Sequence, residues 1–491
     1  MPFTQPEPEN DQLNSNEAGR HDNSGASVSV VVSEPETARH KNPISSLRSR
    51  ARERRHARRR AAVTLLRSLT AVLVGSLILR LASLMMGSML QSYFKHIGVS
   101  YTVMGFLLAA FFMAELVGAP VFGALSDRYG RKRFILLGPV LGAVAVQATS
   151  VTTAIWLLFI TRLLEGLSTA SSIPATLGYI SEATSGRPRL RARVIGLFEI
   201  TFVGGMAFGV ALGGYIWDFF GEEATVFGLH FTSPAFSING LIYLVSLAVF
   251  AWGLKDVNGG AHTPEEMSEY KKWSHYRVIL RSRRVWLLVP AWLAINSIIG
   301  MWFNFSIRVL TDKERSLPFA GQFLMGHWSG TERDVYVGFG VFLVIFASGV
   351  LAWSFILGRY RKTSVMLVAT GGLAVILPAI YLMNHHHSFS GATFYLLVAM
   401  LAIAVLVMSG FAPAALTYLA DVTEAHAEDR GSIMGLYSVF LGVGQFIGTA
   451  TGGLFANWKG IDGLLLLSAI FGTITTLTLI SLHRRNSLAT A

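Results

Sequence analysis

From about residue 66 to residue 482 the chain alternates apolar runs of about 20 residues with short polar connections. That is the length a helix needs to cross a hydrocarbon core about 30 Å thick. Lipid offers no water to the backbone, so continuous runs of this length are expected as helices. Twelve are expected, near 67–92, 102–125, 134–153, 155–181, 194–219, 234–254, 285–309, 335–357, 365–383, 392–419, 432–456 and 463–482. An even number puts both termini on one side. Composition agrees, since 14% of the residues are charged against about 25% in ordinary soluble domains. The expected fold class is an all-α integral membrane protein.

The net charge of +12 could mean nucleic acid or membrane orientation until it is located. Beyond residue 60, 22 of 30 basic residues fall in connections on the side of the N-terminus and five in those opposite. The positive-inside rule then places both termini in the cytoplasm and leaves no nucleic-acid reading, while the absence of cysteine and the lean loops point to a bacterial plasma membrane. Residues 1–60 are polar, lack an apolar period and end in the run Arg48 to Arg60 with eight arginines. They are expected as a disordered tail drawn to anionic lipids, at about 1 kcal/mol per basic residue near the surface. With no cysteine, disulfides, thiol nucleophiles and Cys-ligated metals are excluded. No P-loop, HExxH, GxSxG or dinucleotide fingerprint occurs, so neither an enzyme nor a cofactor is expected. His385, His386 and His387 read as a solvated loop, because no acid or thiol stands near them in sequence to complete a metal site.

A hydrophilic connection, residues 255–284, divides a first half (61–254) from a second (285–483), with 484–491 as a cytoplasmic end. At a constant offset of 239, Pro174, Tyr179, Thr184, Arg191, Gly196, Gly205, Gly209, Gly213 and Gly214 recur as Pro413, Tyr418, Thr423, Arg430, Gly435, Gly444, Gly448, Gly452 and Gly453. Glu182 falls opposite Asp421. Spans four and five thus repeat as ten and eleven in the same orientation, a parallel repeat. Small residues four apart share one helix face and allow close helix contact.

After span two the chain reads Gly123-Ala-Leu-Ser-Asp127-Arg128-Tyr-Gly130-Arg131-Lys132-Arg133. This resembles the signature loop of the major facilitator superfamily of secondary transporters, over roughly residues 65–485. The resemblance implies twelve helices in two six-helix halves, with spans one, four, seven and ten lining the cavity. It also implies a cytoplasmic gate in which Asp127 faces the N-terminal end of helix eleven, where the helix dipole favours a carboxylate. Glu182, Arg191, Asp421 and Arg430 are grouped with that gate. The counterpart Gly358-Arg359-Tyr360-Arg361-Lys362 lacks the Asp, so the latch is asymmetric. Arg162-Leu-Leu-Glu165-Gly166 is similar to the family's arginine motif in helix four, with Glu165 at a position usually held by glutamine. The glycines of span five resemble the motif of proton-coupled drug antiporters, with Val210 at the proline position; close packing alone is the other reading.

Six charges are clear cases inside the spans, away from their ends: Arg80, Glu115, Arg162, Glu165, Glu199 and, nearer the outer edge, Arg308. A charge near the bilayer centre costs at least ~2.5–3.5 kcal/mol, so such residues are functional candidates. Arg80 and Glu115 fall near the midplane of antiparallel neighbours, and Arg162 and Glu165 are three apart on one helix face. Burial favours a protonated carboxyl and a nearby arginine the ionised one, so pairing and separation could load and unload a proton on Glu115 or Glu165. Neutralised structural pairs are the alternative, and for Glu199 snorkelling to the cytoplasmic edge. Trp292, Trp302, Phe305, Asn304 and Gln445 are weaker cavity candidates. The function expected is proton-coupled export of a small amphipathic compound by a monomer. Two alternatives stay open: uptake or exchange of an organic anion clamped by Arg80 and Arg162, and a non-transporting scaffold or sensor.

Overall fold

The structure, a computed structural model, describes residues 43–226, 228–255, 283–319, 321–385, 391–423 and 430–488. Residues 1–60 and 61–491 form two units, and the long apolar helices belong to the second. Most of the expected tail and linker, with His386 and His387, lies outside the described residues. The first half comprises α1 (Pro43–His96), α2 (Tyr101–Tyr129), α3 (Arg131–Thr149), α4 (Ile155–Ala183), α5 (Pro188–Phe220) and α6 (Pro234–Gly253). The second comprises α7 (Arg283–Thr311), α8 (Glu332–Ile356), α9 (Lys362–His385), α10 (Ala392–Met408), α11 (Phe411–Thr423) and α12 (Arg430–Leu488).

Several expectations change in detail. The tail expected to be disordered is helical from Pro43, where α1 begins; its arginines and alanines are strong helix formers. Expected span ten holds as one apolar stretch, Tyr395–Leu419, across a short turn between α10 and α11; at that turn Gly410 lies under the Trp353 ring, where a Cβ would come within 2.7 Å. Spans eleven and twelve are two helices that meet in a kink at Gly460, with φ 59° and ψ −135°, and are together labelled α12. There Gly463 returns against Phe455, eight residues earlier; a straight helix would hold them about 12 Å apart. Among the described residues, ten helices are long and apolar enough to cross a membrane. Arg162, Glu165 and several serines and threonines keep α4 out of that set, and α12 enters it once.

Local signals set the boundaries. Ser100 caps α2 by accepting the Val103 amide at 3.2 Å. Gly130, at φ 97°, ends α2 and starts α3, which gives that motif glycine a conformational role. A short antiparallel hairpin, β1 (Ala224–Val226) with β2 (Leu229–Phe231), joins α5 to α6. Sequence patterning does not anticipate it.

The glycine repeat organises the packing. Gly205, Gly209 and Gly213 press α5 onto α1, where built Cβ atoms would lie 2.6 Å from Arg80 Cβ, 2.8 Å from Leu81 O and 3.0 Å from Met85 O. Gly444, Gly448 and Gly452 press α12 onto α7 at Asn296, Ser297 and Met301. The fourth member behaves differently. Gly214 meets the Tyr336 side chain of α8, and Gly453 meets Tyr101 O and Gly105 of α2. Three glycines in each set close a half, and the last joins it to the other half. One apolar core runs from Met85, Tyr93, Phe236 and Tyr243 into Met301, Phe305 and Leu324. A second, around Trp292, Met366, Phe411 and Leu479, belongs to the second half.

Candidate functional site

Glycines place the first charge cluster. Gly205 lets α5 reach Arg80, and Gly166 lets α4 reach α2 beside Glu115, where a Cβ would lie 2.8 Å from Ala114 Cβ and 3.1 Å from Glu115 N. With those helices drawn together, Arg80 comes within electrostatic reach of both Glu115 and Glu199.

Glu199 is exposed, and helix geometry says where it points. It precedes Phe208 by nine residues, about two and a half turns, so it lies opposite the exposed apolar stripe of Phe208, Leu212, Tyr215 and Phe219. That stripe is the surface a bilayer would cover. Val210 follows Glu199 by eleven residues, about three turns, and therefore shares its face. Val210 is buried against Ile307, Val335 and Tyr336 of the second half. That face of α5 is thus buried against the second half at its C-terminal end and exposed at the end that carries Glu199.

Arg162 and Glu165 form an ion pair, each 2% exposed. Arg162 is also in electrostatic reach of Tyr243 on α6, whose ring covers Gly142 of α3. This pair sits inside the first half, among α3, α4 and α6. The two charge clusters differ in setting: one borders the opening between halves and the other is enclosed.

In the signature loop, Arg131 donates to Glu182 at 2.6 Å and pairs with Asp127 at 2.8 Å. Its guanidinium lies across Gly178 of α4, a place no Cβ could share. Arg191 donates to Ser181 O at 3.0 Å, while Arg128 and Arg133 are exposed. In the second half Lys362 pairs with Asp421 at 3.0 Å. A basic residue of the loop therefore bridges to the end of helix four or its repeat in both halves, although the second loop lacks an Asp. Asp127 is exposed. The start of α12, including the Arg430 side chain, lies outside the described side chains, and so does any contact it makes with Asp127. Gly123 is only in ordinary contact, 3.6 Å, with Pro174.

At the opposite end, polar contacts join the halves. Gln91 of α1 donates to Phe303 O at 3.0 Å and accepts from the amides of Ile307 and Arg308 at 3.1 and 3.3 Å. Ser92 and Tyr336 share a hydrogen bond of 2.7 Å. Lys95 pairs with Glu332 at 2.7 Å, and Arg315 donates to Gly98 O at 3.0 Å. The sequence offers little warning here. Gln91 and Tyr336 are neutral residues within apolar runs, and of this set only Arg308 stands out.

The weaker candidates resolve into packing. Trp292 stacks on Phe411 with ring centroids 5.9 Å apart, Trp302 donates to Ser468 at 2.9 Å, and Phe305 is fully buried. Asn304 donates to Thr449 at 3.2 Å. Gln445 backs onto Gly300, where a Cβ would lie 2.8 Å from its Cα. His385 has an acid beside it after all: Asp462, 77 residues away in sequence, lies at 3.3 Å, brought there because the second leg of α12 packs on α9. Among the described residues no three potential metal ligands cluster.

A family model described as the Major Facilitator Superfamily matches residues 72–331 and 314–490. The chain is 30% identical over 130 residues to multidrug resistance protein 2 of Bacillus subtilis (strain 168), covering 26% of this chain and 32% of that protein. It is 40% identical over 113 residues to the class C tetracycline resistance protein of Escherichia coli, 23% and 28% of the two chains. These matches span about a third of each relative or less. A longer one, 23% identical over 390 residues, covers 78% of this chain and 89% of an uncharacterized MFS-type transporter of Methanocaldococcus jannaschii. Among solved structures, the nucleoside transporter NupG superposes with a TM-score of 0.64 at 12% identity, covering 85% of this chain and 98% of that one.

Proposed function

The chain belongs to the Major Facilitator Superfamily, and we propose that it exports a small amphipathic compound in exchange for protons by alternating access between two six-helix halves. In this reading the ten apolar helices, α4 and the second leg of α12 make twelve crossings of a plasma membrane, with both termini in the cytoplasm. The observation that carries it is the Arg80, Glu115 and Glu199 cluster at the open end of the face between the halves. One cation set against two carboxylates leaves an acidic excess where a substrate would enter. That excess suits a proton or a cationic or neutral compound better than an organic anion. The matches to proteins named for multidrug and tetracycline resistance support export. Glu165 is a second candidate for the proton, enclosed with Arg162. The protein acts as a monomer, and its arginine-rich tail, mostly outside the described residues, holds to anionic lipid.

Proteoliposomes test the coupling. With a pH gradient imposed, Glu115→Gln and Glu165→Gln, alone and together, are assayed for accumulation and for gradient-independent exchange of the same compound. A coupling carboxylate loses accumulation and keeps exchange, because only the net proton movement is removed. If both single variants and the double variant still accumulate against the gradient, proton coupling through these groups is wrong.

A further inference from the structure

Arg308 has the most unusual surroundings of any cation among the described residues. It is fully buried near the C-terminal end of α7, and its partners divide by origin. The residue that follows α7 supplies the counter-ion: Nε donates to Asp312, one turn on, at 3.2 Å, and Arg315 of the same half lies within electrostatic reach. The first half supplies the other direct contacts of the guanidinium. Nη2 donates to Val99 O, Nη1 approaches the Met104 sulfur at 3.2 Å, and the guanidinium lies 4.7 Å from the Tyr101 ring centroid. Beside it, the Gln91 side chain reaches from α1 to three backbone groups of α7.

That division has a mechanical meaning. A buried ion pair split across two moving bodies would have to be pulled apart at each opening, leaving each charge without its partner in low dielectric. Here the charge is neutralised within the second half and stays so when the halves separate. What opening breaks around Arg308 is a set of contacts to uncharged partners, a carbonyl, a sulfur, a ring and one amide side chain, and no ion pair is split at this site. Together they are strong enough to hold and weak enough to release.

We propose that Gln91 and Arg308 are the latch that holds the outer ends of the halves together, with Asp312 carrying the charge of Arg308 through the cycle. The latch rests on the alternating-access reading and goes beyond it, since no step of proton coupling requires it. Both residues are positioning groups, acting on the gate and not on the cargo.

The absence of cysteine makes the test clean. Ser88, 1% exposed, lies one turn inside Ser92 with the Tyr336 hydroxyl of the second half over its carbonyl at 3.5 Å, so Ser88→Cys reports the outer gate; Glu199→Cys, at the exposed end of α5, reports the other. Each is placed singly in the full chain, in nanodiscs, and its rate of labelling by a water-soluble maleimide is measured. With the latch intact, labelling should be slow at position 88 and fast at 199. Arg308→Ala, which removes a charge-assisted contact, and Gln91→Leu, which removes three neutral ones, should each raise the rate at 88 by about tenfold or more and lower it at 199. Arg308→Lys, which keeps the charge and one donor direction, should fall between. If Arg308→Ala does not fold, Gln91→Leu decides alone, because it removes no charge. Rates at 88 within twofold of the intact protein would overturn the latch. A rise at 88 with no fall at 199 would keep the latch and remove alternating access.

Discussion

Gly448 and Gly453 lie five residues apart on α12, and the same added methyl should do different things at each. At Gly453 a Cβ would come 2.5 Å from Tyr101 O and 3.0 Å from Gly105 Cα, both in the other half. At Gly448 it would come 2.5 Å from the Ser297 carbonyl carbon and its Cα, within the same half. Relieving either clash means moving a backbone by roughly an ångström, which in a packed core costs about 1–3 kcal/mol. Alanine also returns about 1 kcal/mol of helix propensity over glycine, equally at both sites. The difference is which states bear the clash. In Gly448→Ala every state bears it, so the cost appears as lost thermal stability. In Gly453→Ala only the state with the outer ends joined bears it, so the cost appears as a shift in population. At 1.4 kcal/mol per factor of ten, about 1–3 kcal/mol is a shift of roughly 5- to 150-fold. Labelling of Ser88→Cys should therefore quicken by that factor in Gly453→Ala with the unfolding midpoint held or raised, and stay slow in Gly448→Ala while its midpoint falls. Equal midpoint losses with unchanged labelling in both variants would refute the division of the glycine set into packing and gate members.

Two further outcomes are expected from the ion pairs. Arg162→Met leaves Glu165 enclosed without its partner and should cost about 3–5 kcal/mol, whereas Arg162→Met with Glu165→Met removes both charges and should recover most of it; thermal unfolding in detergent reads the difference. Lys95→Glu should loosen the outer rim by no more than about 1 kcal/mol, because that pair is partly solvated; adding Glu332→Lys should restore slow Ser88→Cys labelling, and salt should shrink the effect.

Much of this architecture is legible in the sequence because lipid enforces it. Run length specifies the helices, the offset of 239 relates the halves, and Gly130 marks the reversal between α2 and α3. The failures have specific physical causes. The turn between α10 and α11 lies where Trp353 covers Gly410, a contact between residues 57 apart that no local pattern encodes. Helix four, by contrast, is placed by its apolar length despite its charges. At the site, charge in an apolar run singles out Arg80, Glu115, Arg162, Glu165, Glu199 and Arg308, but cost alone cannot say which charges share a cluster. Placing Glu199 between the halves needs the register of the stripe at Phe208, Leu212, Tyr215 and Phe219. Gln91 leaves no signal, since a neutral amide in a membrane helix is common and its value lies in three backbone groups of another helix.

The repeat makes the remaining asymmetry informative. Both halves carry four glycines in register and a basic residue tied to Glu182 or Asp421, so the scaffold is close to two-fold in its packing. Against that background, five of the six charges within the expected spans belong to the first half, and the sixth, Arg308, brings its own counter-ion. A symmetric scaffold gives no energetic reason for the halves to separate at one end in preference to the other. The bias has to come from what is not repeated: the acidic excess around Arg80 at one end and the Arg308 contacts at the other. On the proposed reading, protonating the first cluster removes charge that favours a hydrated, open face, while releasing the second splits no buried ion pair, only contacts to uncharged partners and the partly solvated Lys95–Glu332 pair. Opening at the two ends would then be controlled by different chemistry, so that a proton could act on one gate without directly touching the other.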